Sequence, residues 1–207
     1  KRRMEVFLES RGITFVDDFA HHPTAIRETI AAARQRWPQR TLHVLFEPRS
    51  NTVVTNRFQA ELNAAFREAD AVWLGPIHRA ASIPESERLD RTAIVRALEQ
   101  HGVRAAFTDD VDELVRGLET SVAPDSVVLI LSNGAFGGIY DRLRERYRAG
   151  GGWRAAEAPA PPETPRHGAS RAVEPILEGG YNREARGPSA AGHVMACHRA
   201  GRRVDAV

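Results

Sequence analysis

A chain of 207 residues has room for one domain of ordinary size plus an extension, since domains run to roughly 100–200 residues. Its 42% apolar and 27% charged residues exclude wholesale disorder, and a net charge of +2 with no long basic run argues against a nucleic-acid partner. No stretch approaches the roughly 20 apolar residues that cross a bilayer, and Lys1-Arg2-Arg3 leads into Met4-Glu5-Val6 rather than an apolar signal core, so no membrane span and a cytoplasmic address are expected.

The single cysteine, Cys197, has no CxxC partner, so neither an internal disulfide nor a cysteine metal site is expected. Lys1 is the only lysine, which leaves no internal lysine for Schiff-base, P-loop or carbamate chemistry.

The first 150 residues alternate short apolar runs with amphipathic stretches. Strands are predicted at residues 14–17, 42–46, 71–74, 104–107 and 127–131, mostly unalternating, as in a sheet covered on both faces. Pro23-Thr24 opens a helix carrying Ile26, Ile30 and Ala33. Phe58, Leu62, Ala65 and Phe66 mark one face of a second helix. Asp90 caps a third, with Ile94 and Leu98 on its inner face and Gly102 as its stop. Val111, Leu114, Val115 and Leu118 mark a fourth. The expected architecture is α/β, a doubly wound, mostly parallel sheet with helices on both faces. After residue 149 the character changes. Gly150-Gly151-Gly152 and the Pro-rich run from Ala158 to Pro165 read as a linker, and residues 150–207 as a disordered tail without period or repeat.

In open α/β sheets, ligands bind beyond the carboxyl ends of the strands. Four such places carry polar residues. Asp17-Asp18-Phe19-Ala20-His21-His22-Pro23-Thr24 clusters carboxylates and imidazoles at a helix start. It reads either as an anion- and ribose-binding corner or as a set of helix caps. The adjacent His21 and His22 point in different directions and make a poor metal pair, so no metal ligands are assigned. Glu47-Pro48-Arg49-Ser50-Asn51-Thr52 offers a guanidinium fork for a carboxylate, or is a plain surface turn. Gly75-Pro76-Ile77-His78-Arg79 reads more simply as a polar loop. Ser132-Asn133-Gly134-Ala135-Phe136-Gly137-Gly138 is a glycine-rich turn without the spacing of a dinucleotide or Walker loop or of a hydrolase elbow, suited to close approach of a ligand or to tight packing.

Three of these segments, taken together, resemble the Mur ligase family. Asp17-Asp18-Phe19-Ala20-His21-His22-Pro23-Thr24 is similar to the signature that opens the third, C-terminal domain of the muramate-specific members. Phe46-Glu47-Pro48-Arg49-Ser50-Asn51-Thr52 and Ser132-Asn133-Gly134 with Phe136-Gly137-Gly138-Ile139 look most like the family's murein peptide ligase branch. The match covers residues 1–148. It implies a hinge at 1–10, the C-terminal domain at 11–149, and a role in peptidoglycan recycling. The activity it implies is ATP-dependent joining of L-Ala-γ-D-Glu-meso-diaminopimelate to UDP-N-acetylmuramate through an acyl phosphate. The alternatives are an L-alanine-adding ligase or a non-catalytic muropeptide- or nucleotide-binding module.

By the same resemblance ATP is expected at Arg3, Asp18, His21 and His22, and the peptide at Arg49, Ser50, Asn51, Asn133 and Gly134. Mg²⁺ is expected to be bound mainly by a central domain. The family's phosphate loop with its lysine, its magnesium ligands and its UDP-binding domain lie upstream of the hinge. The chain is therefore expected to be a fragment, inactive alone, whose partners include the N-terminal and central domains.

Overall fold

A computed structural model describes residues 2–148, which form one α/β unit. The residues read as a tail, 150–207, and Cys197 with them, lie outside the described residues. The central sheet has six strands: β1 (Glu5–Ser10), β2 (Ile13–Asp18), β3 (Thr41–Phe46), β4 (Ala71–Leu74), β5 (Arg104–Phe107) and β6 (Ser126–Leu131). Their spatial order is β1-β2-β6-β3-β4-β5; β1 runs antiparallel to β2 and every other pairing is parallel. Helices α1 (Pro23–Arg36), α2 (Gln59–Ala65), α3 (Arg91–Glu99), α4 (Val111–Ser121) and α5 (Ile139–Arg146) complete the unit. Among the described residues no helix is long and apolar enough to cross a membrane.

The strands form where they do because both faces of the sheet are covered. All six residues of β2 and all six of β6 are buried, which is why their sequences run without alternation. Thr14 and Val16 of β2 face the side where α1, α2 and α3 contribute Ile26, Ile30, Leu62, Ile94 and Leu98. Ile13 and Phe15 face the other, where α4 and α5 contribute Leu114, Leu118, Ile139 and Leu143. Each fully buried aliphatic or aromatic side chain contributes about 1.5–3 kcal/mol, so the two layers together hold the sheet between them.

The caps are only partly those expected. Asp90 caps α3 through the Ala93 amide at 2.9 Å, and Gly102 follows it with φ +77. The cap of α1 is His22, whose Nδ1 accepts from the Thr24 amide at 3.4 Å; neither Asp17 nor Asp18 caps that helix end. Residues 5–10, inside the stretch read as hinge, form β1 and belong to the sheet.

The winding positions the site. From β2 the chain crosses on the α1 side, skips one strand place to β3 and continues outward to β4 and β5. It returns beneath α4 to place β6 between β2 and β3. Loops leaving β2 and β3 therefore go to one face of the sheet and the loop leaving β6 to the other. Crevices open at such a reversal, on either side of the carboxyl end of β6.

Candidate functional site

Four loops line this edge in the order of their strands: residues 19–22 after β2, 132–135 after β6, 47–55 after β3 and 75–82 after β4. On the β2 side of β6 the first crevice is filled by a locked cluster. Arg2 donates to Asp17 through Nε at 2.9 Å and through its terminal nitrogen at 3.3 Å. It also reaches the Ser132 carbonyl at 2.7 Å and the Tyr140 hydroxyl at 2.9 Å. The Tyr140 hydroxyl in turn donates to Asp17 at 2.7 Å. Burial, reinforced by that hydrogen bond, holds this hydroxyl above the ordinary phenol range, so it remains a donor throughout the physiological range.

Asp17 and Asp18 are neighbours on a strand and so serve opposite faces. Asp17 meets α5, and Asp18 turns toward α1. There Asp18 is only 2% exposed, and its oxygens accept from the Met4 amide at 2.9 Å, the Ala20 amide at 2.8 Å and the Thr29 hydroxyl at 3.4 Å. These bonds tie the start of the chain to the loop that carries the histidines. His21 bonds the Phe19 carbonyl through Nδ1 at 3.0 Å, and His22 packs edge-on against Phe58 at 4.8 Å. Arg3 is exposed and makes no hydrogen bond or ion pair among the described residues, whereas its neighbour Arg2 is fully engaged. The residues expected to meet ATP therefore share one corner, three of them at the surface and Asp18 beneath.

The second crevice, between β6, β3 and β4, is open. A cavity of about 340 Å³ is lined by Arg49, Ser50, Asn51, His78, Arg79 and Asn133. Four of these were expected from sequence, and Gly134 lies directly beneath Arg49. His78 and Arg79 come from the loop read as an ordinary turn; only its position after β4 signalled them. Glu47, 6% exposed, lies beneath Arg49 and outside the lining of the cavity. It accepts a short hydrogen bond from the Ser132 hydroxyl, and its other oxygen lies 3.5 Å from the Arg49 guanidinium. His78 Nδ1 sits 3.3 Å from the same guanidinium, and the His78 amide donates to the Pro48 carbonyl at 2.9 Å, so the two loops are stitched together. The Asn133 carboxamide oxygen is enclosed without a partner among the described residues, an acceptor available to a ligand N–H. Among the described residues no carboxylate lines the cavity itself. With two arginines on its wall it attracts anions, and carboxylates fit the fork of a guanidinium.

Gly134 makes room for this arrangement. A Cβ at that position would lie no more than 2.7 Å from Nε, Cδ and Cζ of Arg49. Arg49 is a flexible side chain that can yield, so Gly134→Ala is expected to displace the guanidinium while changing stability by less than about 1 kcal/mol. Ligand affinity should fall to the level of Arg49→Ala, and the double variant should be no worse than either single one. Additive losses would show that Gly134 acts on something other than Arg49.

Comparison with known proteins follows the same lines. The model of the Mur ligase glutamate ligase domain matches residues 2–134. UDP-N-acetylmuramate–L-alanyl-γ-D-glutamyl-meso-2,6-diaminoheptandioate ligase of Escherichia coli (strain K12) is 37% identical over 146 residues, covering 69% of this chain and 29% of its own. UDP-N-acetylmuramate–L-alanine ligase of Geobacter sulfurreducens is also 37% identical, over 134 residues, covering 64% of this chain and 29% of its own. The crystal structure of a murein peptide ligase from Psychrobacter arcticus 273-4 superposes with a TM-score of 0.60 at 31% identity, over 70% of this chain and 29% of that one. The chain thus spans under a third of the length of these relatives, and the family model's match over residues 2–134 takes in the loops after β2, β3 and β4 and reaches into the one after β6. By sequence and by fold, the chain belongs to the Mur ligase family and carries its glutamate ligase domain.

Proposed function

We propose that this chain is the C-terminal domain of an ATP-dependent ligase that joins L-Ala-γ-D-Glu-meso-diaminopimelate to UDP-N-acetylmuramate in peptidoglycan recycling. The observation that carries the reading is the open, acid-free cavity between β3, β4 and β6, where Arg49 is presented on a buried carboxylate and flanked by Ser50, Asn51 and the unpartnered Asn133. Such a wall binds a peptide by its carboxylates and leaves the peptide's amine, which must stay nucleophilic, without an acid to pair with.

The reaction transfers the terminal phosphoryl group of ATP to a carboxylate oxygen of the muramate, giving ADP and an acyl phosphate. The peptide amine then attacks the acyl carbon, the amide forms and phosphate leaves. In this scheme Arg3, His21 and His22, on the corner held together by Asp18, face the nucleotide, with Arg3 placed to meet phosphate oxygens. Arg49, Ser50, Asn51 and Asn133 orient the peptide over the backbone of Gly134. Closing this domain over a nucleotide-bearing domain would bring the two crevices beside β6 to one acyl phosphate and shield it from water. The magnesium that phosphoryl transfer employs finds no donor set here: among the described residues no three histidine, cysteine, aspartate or glutamate side chains converge. Its ligands are assigned to the ATP-binding domain.

A second reading, an L-alanine-adding ligase, is favoured by the Geobacter sulfurreducens relative at the same identity. The two are separated by ATP-dependent phosphate release with UDP-N-acetylmuramate and either the tripeptide or L-alanine, using this chain and a protein that also carries the family's preceding domains. Turnover with tripeptide by the longer protein is expected. Turnover with L-alanine alone would establish the second reading, and peptide binding without turnover by either protein would leave a binding module.

A further inference from the structure

We infer that Ser132 is a positioning residue of the peptide site: its hydroxyl holds one oxygen of Glu47 away from Arg49, so that the guanidinium is steadied from beneath yet left able to meet a substrate carboxylate. The inference rests on the peptide-site reading above and goes beyond it by giving a role to a buried serine outside the lining of the cavity.

Three observations carry it. Ser132 is 0% exposed, and each of its polar groups is bonded to a different part of the strand edge. Its amide donates to the Asp18 carbonyl at 3.1 Å and its carbonyl accepts from Arg2 at 2.7 Å. Its hydroxyl donates to Glu47 and accepts from the Gly134 amide at 2.9 Å. With its backbone fixed on both sides, the hydroxyl has one place to be. The two oxygens of Glu47, next, are divided between partners. Oε2 takes the Ser132 hydroxyl, whereas Oε1 lies 3.5 Å from Arg49 Nη1, beyond the length of a good hydrogen bond. Finally, the same hydroxyl anchors Gly134, the residue whose missing side chain makes room for Arg49.

The physical consequence lies in how a guanidinium pairs. A carboxylate with both oxygens free closes on it as a two-pronged fork, and an arginine held in that way has fewer donors to offer an incoming carboxylate. The Ser132 hydroxyl prevents the closure by occupying one oxygen. What remains is a loose contact that aims Arg49 without engaging its fork, and a loop glycine kept in place beside it.

Calorimetric titration of this chain with L-Ala-γ-D-Glu-meso-diaminopimelate tests the role. Ser132→Ala is expected to weaken binding about tenfold, the size of one hydrogen bond's net contribution. Ser132→Thr restores the hydroxyl and should bind within about threefold of the native chain. In the Arg49→Ala background, Ser132→Ala should change affinity by less than about twofold, because the group it positions is gone. Ser132→Cys, a weak donor of nearly the same shape, should give an intermediate loss, and it takes the place of the alanine variant if melting shows the latter unfolded at the titration temperature. A variant that melts lower but binds the peptide like the native chain, or a loss repeated in full in the Arg49→Ala background, would overturn the inference and leave the peptide site standing. Failure of the native chain to bind the peptide, or indifference of the peptide to Arg49→Ala, would overturn the peptide-site reading itself, and the role of Ser132 with it.

Discussion

Replacing Arg49 by alanine in the intact ligase is expected to raise the apparent constant for the peptide roughly 10- to 100-fold while leaving that for ATP within about twofold. The size follows from the loss of one or two charge-assisted hydrogen bonds to a carboxylate, worth about 1.5–3 kcal/mol together. The direction follows from placement. Arg49 stands on the β3–β4 side of β6, and the corner expected to meet ATP stands on the β2 side, so one substitution reaches one substrate. A ground-state anchor lost in this way raises KM with little change in kcat; a fall in kcat as well would mean that the guanidinium also positions the amine for attack. Arg49→Lys should recover only part of the affinity, because an ammonium lacks the planar fork. The carboxylate beneath it limits the structural side effects. Glu47 loses its cation but keeps the Ser132 hydrogen bond, and Arg49 itself is a third exposed, so the fold should survive with a small loss of melting temperature. Asn51→Ala should act in the same direction more weakly. Equal effects of Arg49→Ala on peptide and ATP would sink the assignment.

Most of the sheet was legible from the chain alone, and for a physical reason. Strands β2, β3, β4 and β6 are short apolar runs because both of their faces are covered, and the helices between them keep one apolar stripe each. β1 escaped detection. It lies at the sheet edge and is only partly buried. Its pairing with β2 shifts register between Val6 and Leu8, and a bulge of this kind destroys the alternation by which an edge strand is found.

The site divides in the same way. Arg49, Ser50, Asn51, Asn133 and Gly134 could be proposed because each follows a strand end, and the structure gathers them. The union of Arg2 with Asp17, Ser132 and Tyr140 joins positions 15, 130 and 138 residues apart, and no local pattern announces it. Asp18, expected beside a ribose, has its carboxylate already occupied by protein donors, which only the backbone path of residues 4 and 20 could reveal. His78 and Arg79 lie in a loop whose composition is unremarkable, and only the fold brings it beside Arg49.

A buried histidine supplies the remaining large effect: folding stability is expected to fall by about 3 kcal/mol between pH 6.5 and pH 4 on account of His43 alone. His43 sits in the middle of β3, opposite Ala71 of β4 and Val128 of β6, on the same face as Leu45. It is 0% exposed, and neither ring nitrogen meets a hydrogen-bond partner among the described residues. Burial, aided by the charge of Arg104 and opposed by that of Asp70, lowers its pKa from 6.5 to about 4. The folded chain thus keeps this ring neutral where the unfolded chain protonates it. The contribution is whole above pH 6.5, is lost as the pH falls toward 4, and is flat below that. His43→Leu conserves volume and removes both unpartnered nitrogens, so at pH 7 the variant should be more stable by about 1–2 kcal/mol. Other acidic and basic groups titrate alike in the two proteins and cancel in the difference between their urea-unfolding profiles. That difference should widen by about 3 kcal/mol from pH 7 to pH 4. A difference that stays constant with pH would show that the ring is protonated in the folded state, and that solvent or a polar partner reaches the face of the sheet where the structure shows only packed side chains.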